Sequence, residues 1–321
     1  MSARAVMVRA LGRRRVSDRL GDWSLYGVTA AAALAAVVLV ALLAYKLVDQ
    51  ARPAISKFGL GFISSRAWDP VKNHFGALDF IFGTLYTSVL ALLIAAPLSI
   101  AIALFLSELA PRGVRGIVGG LVEMLAAIPS VVIGLWGIFV LGPFLEGHLN
   151  PFLHRTLGWT PFFHGDARTL TGLLPAALVL AIMVIPISAS IARELFLSVP
   201  SELEDGALAL GLTRWEMVRG VVLPYTRGGV VAAIILGFGR AVGEAIAVTQ
   251  VIGGVLGIHL SLFAGGDTLA SRIAAQYQGA ASKLQISSLV YLAVILLAIS
   301  LVVNLIAQLI VRRFEFQRTG G

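Results

Sequence analysis

Long apolar stretches, each about as long as a lipid bilayer is thick, constrain this chain more than any other feature. A helix rises about 1.5 Å per residue, so about 20 apolar residues cross a hydrocarbon core of about 30 Å. The chain offers six such stretches, at about 25–44, 80–106, 118–141, 170–191, 230–256 and 286–310. Only 13% of its residues are charged, against roughly 25% in soluble domains. The pattern predicts an all-α integral membrane protein with about six transmembrane helices.

These stretches also define the domain organisation. The predicted regions are, in chain order, a basic cytoplasmic segment (1–24), the first transmembrane helix (25–48), an extracytoplasmic segment (49–79), a five-helix core (80–312) that includes a charged loop (200–225), and a cytoplasmic tail (313–321). An apolar run after several arginines can be a signal peptide. This run reaches spanning length and lacks an Ala-x-Ala cleavage motif, so we expect an uncleaved first helix.

The distribution of lysine and arginine predicts the orientation. With the N-terminus in the cytoplasm, fifteen basic residues fall in cytoplasmic segments and nine in outer ones. This bias favours two cytoplasmic termini and a cytoplasmic loop at 200–225. The net charge of +8 does not indicate nucleic acid, because the basic residues lie in short loops beside apolar spans. The expected surroundings are therefore the lipid bilayer, with no nucleic-acid partner.

The charged loop carries two patterns typical of helix starts. Ser201 is followed three residues later by Glu204, and Thr213 is followed three residues later by Glu216. In such a capping box the hydroxyl and the carboxylate bind the free amides of the first helical turn. The sequence therefore predicts two short helices, each capped at its start.

Two further residues in the loop mark where these helices end. Gly211 falls between them, where a left-handed residue is needed and glycine has no Cβ penalty. Pro224 is expected to end the second helix, because it lacks an amide proton and clashes with the preceding turn. The loop thus predicts a helix, a glycine turn, a second helix and a stop.

This loop resembles the EAA loop of ABC importer permeases. That family pattern is Glu-Ala-Ala, three residues, Gly, nine residues, then Ile-x-Leu-Pro. The residues here that carry the resemblance or adjoin it are Glu204, Asp205, Gly206, Ala207, Gly211, Leu223 and Pro224. Asp replaces the family's Glu, and Gly replaces its first Ala. In the family this loop couples the permease to an ATPase subunit by docking into a groove on it.

The strongest chemical anomaly within a span is Arg240, with Glu244 four residues later. On one helix this spacing puts both side chains on the same face, where they can pair. Arg240 falls near the expected middle of the bilayer, where a charge must face protein or a water-filled path. Its planar guanidinium suits a phosphate-like anion, which makes both residues candidates for a translocation pathway. The alternative is a static ion pair that locks one span to its neighbours.

Few other residues suggest chemistry. Glu123 lies close to the predicted cytoplasmic start of the third span, so it either extends towards water or takes part in gating. The chain lacks cysteine and any P-loop, nucleophile-elbow or kinase motif, and its histidines show no metal-ligand spacing. We therefore expect no catalytic residue, no metal and no cofactor, and place ATP hydrolysis on a separate subunit.

Five short segments resemble the permeases of high-affinity phosphate importers of bacteria, in particular the PstC type. They are 83–85, 97–98, 103–111, 123–132 and 236–244. The resemblance implies a type I ABC importer permease (MetI-like) fold in the bacterial inner membrane, and import of inorganic phosphate. It also implies three partners: a dimer of ATP-binding subunits, a second, PstA-like permease and an extracytoplasmic phosphate-binding protein. In that family the equivalents of Arg240 and Glu244 are tied to phosphate translocation.

Three alternatives stay open. A permease for another oxyanion, such as sulfate or molybdate, would share the coupling loop but not the Gly239–Glu244 run. A proton-coupled secondary transporter would use Arg240 and Glu244 as a proton relay and would work without ATP. A membrane scaffold or sensor would use the loop for docking and carry no flux.

Overall fold

The computed structural model describes residues 16–316, which are almost entirely helical. In chain order the helices are α1 (Val16–Phe58), α2 (Gly61–Ser64), α3 (Leu78–Leu104), α4 (Arg112–Ala127), α5 (Ser130–Trp136), α6 (Gly142–Phe144), α7 (Asn150–Leu157), α8 (Leu173–Leu197), α9 (Ser201–Ala209), α10 (Arg214–Met217), α11 (Leu223–Gly243), α12 (Ile246–Val251), α13 (Leu269–Gln276) and α14 (Lys283–Phe316). The strands β1 (Trp68–Asp69) and β2 (His74–Phe75) form one small antiparallel hairpin. The predicted terminal segments at 1–15 and 317–321 lie outside the described residues.

Several helices are joined end to end by π-helical turns. These turns are Phe105–Leu109, Gly137–Leu141, Leu145–Leu149 and Val218–Val222. Within residues 16–316, six continuous helical stretches are long and apolar enough to cross a membrane. They are Gly21–Phe58, Leu78–Leu109, Ser130–Leu157, Leu173–Leu197, Arg214–Gly243 and Lys283–Ile310. The predicted all-helical architecture with about six spans is confirmed.

The chain divides into two compact units, Met1–Gln50 and Ala51–Gly321. In the first unit, every side chain from 21 to 43 is exposed, although the helix there is strongly apolar. An apolar helix exposed on all sides is suited to lipid. The second unit contains the buried core and every residue of the sites described below.

Helix α8 lies at the centre of the second unit. Its apolar side chains are buried against α3 on one side and α12 on another. Close packing against α11 depends on small residues: a Cβ added at Gly237 would lie 2.4 Å from Ser188 Oγ. A Cβ at Gly229 would lie 2.7 Å from a methyl carbon of Leu195. Glycine thus lets α11 approach α8 at two levels, as small residues do in membrane helix pairs.

The third span does not lie where its apolar pattern suggested. Helix α4 ends at Ala127, Ile128 and Pro129 are extended, and the spanning stretch begins only at Ser130. The prediction of one span over 118–141 is therefore wrong. Proline has no amide proton and disfavours a helical conformation in the residue before it, which here separates two helices.

The fifth span also differs from the prediction. It begins at Arg214, runs through Pro224 and ends at Gly243, so the prediction that Pro224 stops the helix is wrong. A π-helical turn precedes the proline, and in it the amide of Leu223 donates to the carbonyl of Val218. Pro224 stands directly after this wider turn, at the start of α11, where a missing amide proton is tolerated.

Candidate functional site

Arg240 lies in the last turn of α11, and its side chain is exposed in this chain. Its depth follows from its neighbours, because a Cβ at Gly237 would touch Val184 and Ser188, near the middle of α8. Arg240 follows Gly237 by three residues, so it lies within about one helical turn of that level. Asn304 of α14 lies close to the adjacent Gly239. The arginine is therefore deep in the bundle and open on one side.

The helix breaks directly after this arginine. Helix α11 ends at Gly243, Glu244 is extended with ψ 120°, and α12 starts two residues later. Irregular backbone at membrane depth is tolerated only where protein buries it or where it lines a water-filled cavity. The break must therefore either be buried against protein or line a polar cavity.

The break also separates the two charged residues that the spacing had paired. No ion pair joins Arg240 and Glu244 within the part of the chain that the structure describes. Instead, Glu244 Oε1 accepts a hydrogen bond from the amide of Ala247 at 3.3 Å. The predicted ion pair is wrong, because the Glu244 carboxylate binds the first turn of α12 instead.

Glu123 has a specific partner on the central helix. Its carboxylate lies 3.7 Å from Nη1 of Arg193, and the arginine side chain is 20% exposed while the glutamate side chain is 65% exposed. Gly119, one turn earlier on α4, leaves room for that guanidinium, since a Cβ there would lie 3.5 Å from Nη1. Glu123 thus links α4 to α8. Whether it takes part in gating stays a prediction.

The charged loop is built as two short helices around one glycine. Gly211 has φ +85°, which confirms the left-handed turn. Thr213 Oγ1 accepts from the amide of Glu216 at 3.3 Å, and Glu216 Oε2 accepts from the amide of Thr213 at 2.8 Å. The second capping box is therefore confirmed.

The first capping box does not form. Helix α9 has Pro200 as its N-cap, and no side chain caps it. Because Pro200 precedes the first helical turn with φ −61°, Ser201 is already helical. A hydroxyl at that position no longer sits before the turn whose amide it was predicted to bind. The prediction for Ser201 and Glu204 is wrong for this reason.

The loop packs firmly on the membrane core. Ala207, Met217 and Val222 are buried in one apolar cluster with Phe196 at the end of α8. Nη1 of Arg214 donates to the backbone carbonyl of Glu108 at 3.3 Å. These contacts fix the loop to the ends of two spans.

Glu204 belongs to the acidic side of this loop. Burial raises the pKa of its carboxyl above the ordinary value, and the nearby carboxylates of Glu108 and Asp205 raise it further. A cation that approaches Glu204 would therefore relieve repulsion between like charges.

Sequence reasoning missed Arg272, which lies in a predicted outer loop where a charge is expected to be solvated. Its side chain is 9% exposed, and Nη2 lies 2.6 Å from Oδ2 of Asp267, whose side chain is 5% exposed. The guanidinium also lies over the ring of Phe80, at 4.9 Å from its centroid. Thr268 and Ser271 cap the helix that carries it. The Thr-x-x-Ser spacing could have predicted the helix start from the sequence. Nothing in the sequence indicates that the ion pair is buried.

The described residues contain no group of three His, Asp or Glu side chains that could hold a metal ion. Arg240 and Arg272 instead offer hydrogen-bond donors that carry a permanent positive charge. Such groups bind oxyanions.

Residues 95–316 match the family model described as "Binding-protein-dependent transport system inner membrane component". The phosphate transport system permease protein PstC of Mesorhizobium japonicum is 43% identical over 306 residues, 94% of this chain and 93% of that protein. The protein of the same name from Pasteurella multocida is 45% identical over 281 residues, 87% of this chain and 88% of that protein. PstC 1 of Mycobacterium tuberculosis is 38% identical, covering 83% and 86%.

The fold is shared with a solved transporter of different sequence. A chain of the bacterial alginate ABC transporter, solved in complex with its alginate pentasaccharide-bound periplasmic protein, superposes with a TM-score of 0.60 at 20% identity. The likeness covers 94% of this chain and 98% of that chain, and it confirms the predicted ABC importer permease (MetI-like) fold. With its six apolar spans, this chain therefore belongs to the family of binding-protein-dependent transport system inner membrane components, as a multi-pass protein of the bacterial inner membrane.

Proposed function

We propose that this chain is the permease subunit of an ATP-driven importer of inorganic phosphate and forms half of its translocation pathway. The substrate is supported by the relatives named as phosphate transport permeases, which align with most of the chain. The phosphate would meet the chain at the helix break that follows Arg240. ATP hydrolysis would take place on a separate subunit.

The exposed guanidinium of Arg240 carries this proposal. Among residues 16–316, no carboxylate pairs with it, and it lies near mid-depth of the bundle. An arginine at the centre of a bilayer costs at least about 2.5–3.5 kcal/mol, so its open side must face a partner subunit or a polar path. A guanidinium offers two parallel donors to a tetrahedral oxyanion and keeps its charge at every physiological pH.

Glu244 has a supporting role in this proposal. Its carboxylate holds the first turn of α12 and so fixes the geometry of the break beside Arg240. A negative charge close to the pathway also weakens the binding of a phosphate anion. Weak binding lets the anion leave the site after each transport cycle.

The same proposal implies the partners of this chain. A PstA-like permease would complete the pathway, a phosphate-binding protein would deliver the substrate on the outer face, and an ATPase dimer would dock on the loop at 200–225. Both termini and this loop would then lie in the cytoplasm. Closure of the ATPase dimer would move the loop and switch the access to Arg240 from one face of the membrane to the other. Within this cycle, Glu123 and Arg193 would form a contact on the cytoplasmic side that opens or closes with α4.

The direct test is uptake of radiolabelled phosphate by cells without their own high-affinity system. The cells would express this chain together with its companion permease, ATPase and binding protein. Arg240→Ala should abolish uptake at equal membrane abundance. Arg240→Lys should retain only part of it, because an ammonium is a point charge without the planar fork.

Arg168→Ala is the matched control, since this arginine is exposed in the loop between α7 and α8. It should leave uptake unchanged. Full uptake with Arg240→Ala would rule out the proposed role of Arg240. Import of sulfate or molybdate in place of phosphate would be consistent with the proposed pathway, but it would show that phosphate is not the substrate.

A further inference from the structure

A cavity of about 520 Å³ lies beside α12 and α13, on the far side of α12 from the helix break. Polar side chains from separate parts of the chain line it: Thr171 before α8, Thr249 and Gln250 on α12, and Arg272 on α13. A water molecule takes up about 30 Å³ in the liquid, so the cavity has room for a small ion together with its hydration.

Two of these lining side chains keep polar atoms without partners. Arg272 is 7% exposed as a residue, and its Nε finds no hydrogen-bond acceptor among the described atoms. Gln250 Oε1 is likewise buried without a donor. Unsatisfied buried polar atoms are rare and destabilising in native proteins. These two atoms are shielded, so a ligand in the cavity would meet the other donors of the two side chains, Nη1 of Arg272 and Nε2 of Gln250.

The ion pair at this cavity is held rigidly. The backbone at Asp267 presses on α3, where a Cβ at Gly83 would lie 1.9 Å from the carbonyl oxygen of Asp267. Thr84 Oγ1 accepts from the amide of Leu269 at 2.9 Å, and Ser271 Oγ donates to Asp267 Oδ1. Arg272 therefore presents its guanidinium from a fixed position.

We propose that this cavity is a second oxyanion subsite, in which Arg272 binds phosphate before it reaches Arg240. The proposal rests on the proposed import of phosphate. Asp267 and the carbonyl of Gly254 occupy Nη2 of the guanidinium, which leaves Nη1 for the anion. The Thr171 hydroxyl and the Gln250 amide would add hydrogen bonds. Because Asp267 also balances the charge of Arg272, the anion is bound weakly enough to move on.

The two sites border the same short helix. Glu244 ends the break, and Thr249 in the cavity wall follows it by five residues. At 1.5 Å per residue the two are roughly 8 Å apart along the chain. An anion released from Arg272 would pass along α12 to the break.

Cysteine protection tests the subsite, because the chain contains no cysteine of its own. Ala275→Cys places a thiol in the cavity wall, whereas Ala274→Cys places one on an exposed neighbour that does not line it. The test uses the purified complex with cysteine-free companion subunits and no binding protein. At four times its dissociation constant, inorganic phosphate should slow labelling of Ala275→Cys about fivefold by simple occupancy. Chloride of the same ionic strength should not.

The control cysteine Ala274→Cys should react at one rate with and without phosphate. Adding Arg272→Gln to Ala275→Cys should abolish the protection. Protection that survives Arg272→Gln, or that chloride reproduces, overturns the subsite.

Arg272→Gln leaves Asp267 buried without its partner, which can unfold this region. The double variant Asp267→Asn with Arg272→Gln avoids this problem, because two neutral amides can pair. If this double variant is stable and phosphate does not protect its cysteine, the guanidinium itself binds phosphate. If the double variant regains both protection and uptake, the ion pair is structural and the proposal is wrong. A wild-type complex that imports no phosphate rejects the proposed function, whereas normal import by Arg272→Gln rejects only the subsite.

Discussion

At the scale of single residues, Gly211 shows how one backbone conformation shapes the loop at 200–225. Its φ of +85° lies in the left-handed region, and a Cβ added there would meet no atom within 4 Å. A side chain at this position would therefore clash with nothing except its own backbone. The effect of a substitution at Gly211 therefore measures the strain of the left-handed backbone conformation, and not a clash with neighbouring residues.

Gly211→Val should weaken coupling between ATP hydrolysis and transport. A β-branched residue held in a sparsely populated conformation costs about 1–3 kcal/mol, so the turn would relax and α9 would shift against α10. The measurement is phosphate uptake per ATP hydrolysed by the reconstituted complex, which should fall. Gly116→Val is the control, because Gly116 lies in α4 with nothing within 4 Å and no positive φ. An unchanged ratio in Gly211→Val would exclude the turn from coupling.

The two arginines proposed to bind phosphate differ in how visible they are in the sequence. Arg240 was predicted because a charge inside a long apolar run has no ordinary explanation. Arg272 lies in a stretch of mixed polarity, where a charge looks solvated. Its guanidinium is covered by Phe80, and Gly83 leaves room for the backbone of its partner Asp267. Both residues are distant in the chain and reach the pair only after folding. The sequence contains no local sign of such a contact.

At the scale of elements, helix starts decide how the loop is held. Helix α10 has only four residues and depends on the capping box of Thr213 and Glu216. Helix α9 has no side-chain cap and depends instead on the burial of Ala207. The same Ser/Thr-x-x-Glu pattern thus has a different outcome in the two helices. In α9, Pro200 takes the N-cap position, so the helix already begins at Ser201.

Thr213→Ala should loosen α10, whereas Ser201→Ala should leave α9 unchanged. Loss of a threonine cap costs about 0.5–2 kcal/mol, while the Ser201 side chain caps nothing. Amide hydrogen exchange within Arg214–Met217 should become faster in Thr213→Ala only. Equal acceleration in both variants would contradict the assignment of the caps.

Prolines account for most of the errors in the predicted spans. Pro97 and Pro186 stay inside helices, Pro129 separates two helices, and Pro224 follows a wider turn. Close packing surrounds one of them, since Pro186 is itself buried and Ser99 of α3 donates to the neighbouring carbonyl of Ile185. Tertiary contacts of this kind decide whether a proline breaks a helix. Composition alone therefore predicted the number of spans but not their ends.

At the scale of the whole molecule, the orientation in the membrane is the prediction with most consequences. The loop at 200–225 meets an ATPase only if it lies in the cytoplasm. The loop between α7 and α8 then faces outward, on the side of a binding protein. The bias of basic residues supports this orientation, and a labelling experiment decides it.

Single cysteines at exposed positions should react from opposite sides of the membrane. His164→Cys, between α7 and α8, should react with a membrane-impermeant maleimide in intact spheroplasts. Glu202→Cys, on α9, should react only after the membrane is permeabilised. The reverse pattern would invert the topology and exclude the loop as an ATPase docking site.

The continuity of the fifth span through Pro224 has a mechanical consequence. From Arg214 to Gly243 the chain forms one helical rod of 30 residues, about 45 Å long at 1.5 Å per residue. The rod carries the end of the loop at 200–225 near one tip and Arg240 near the other. The π-helical turn at Val218–Val222 keeps the helix continuous between them, so a displacement at the loop would be carried along the helix towards the guanidinium. The first joint comes at Glu244, directly after the charge that the rod would move.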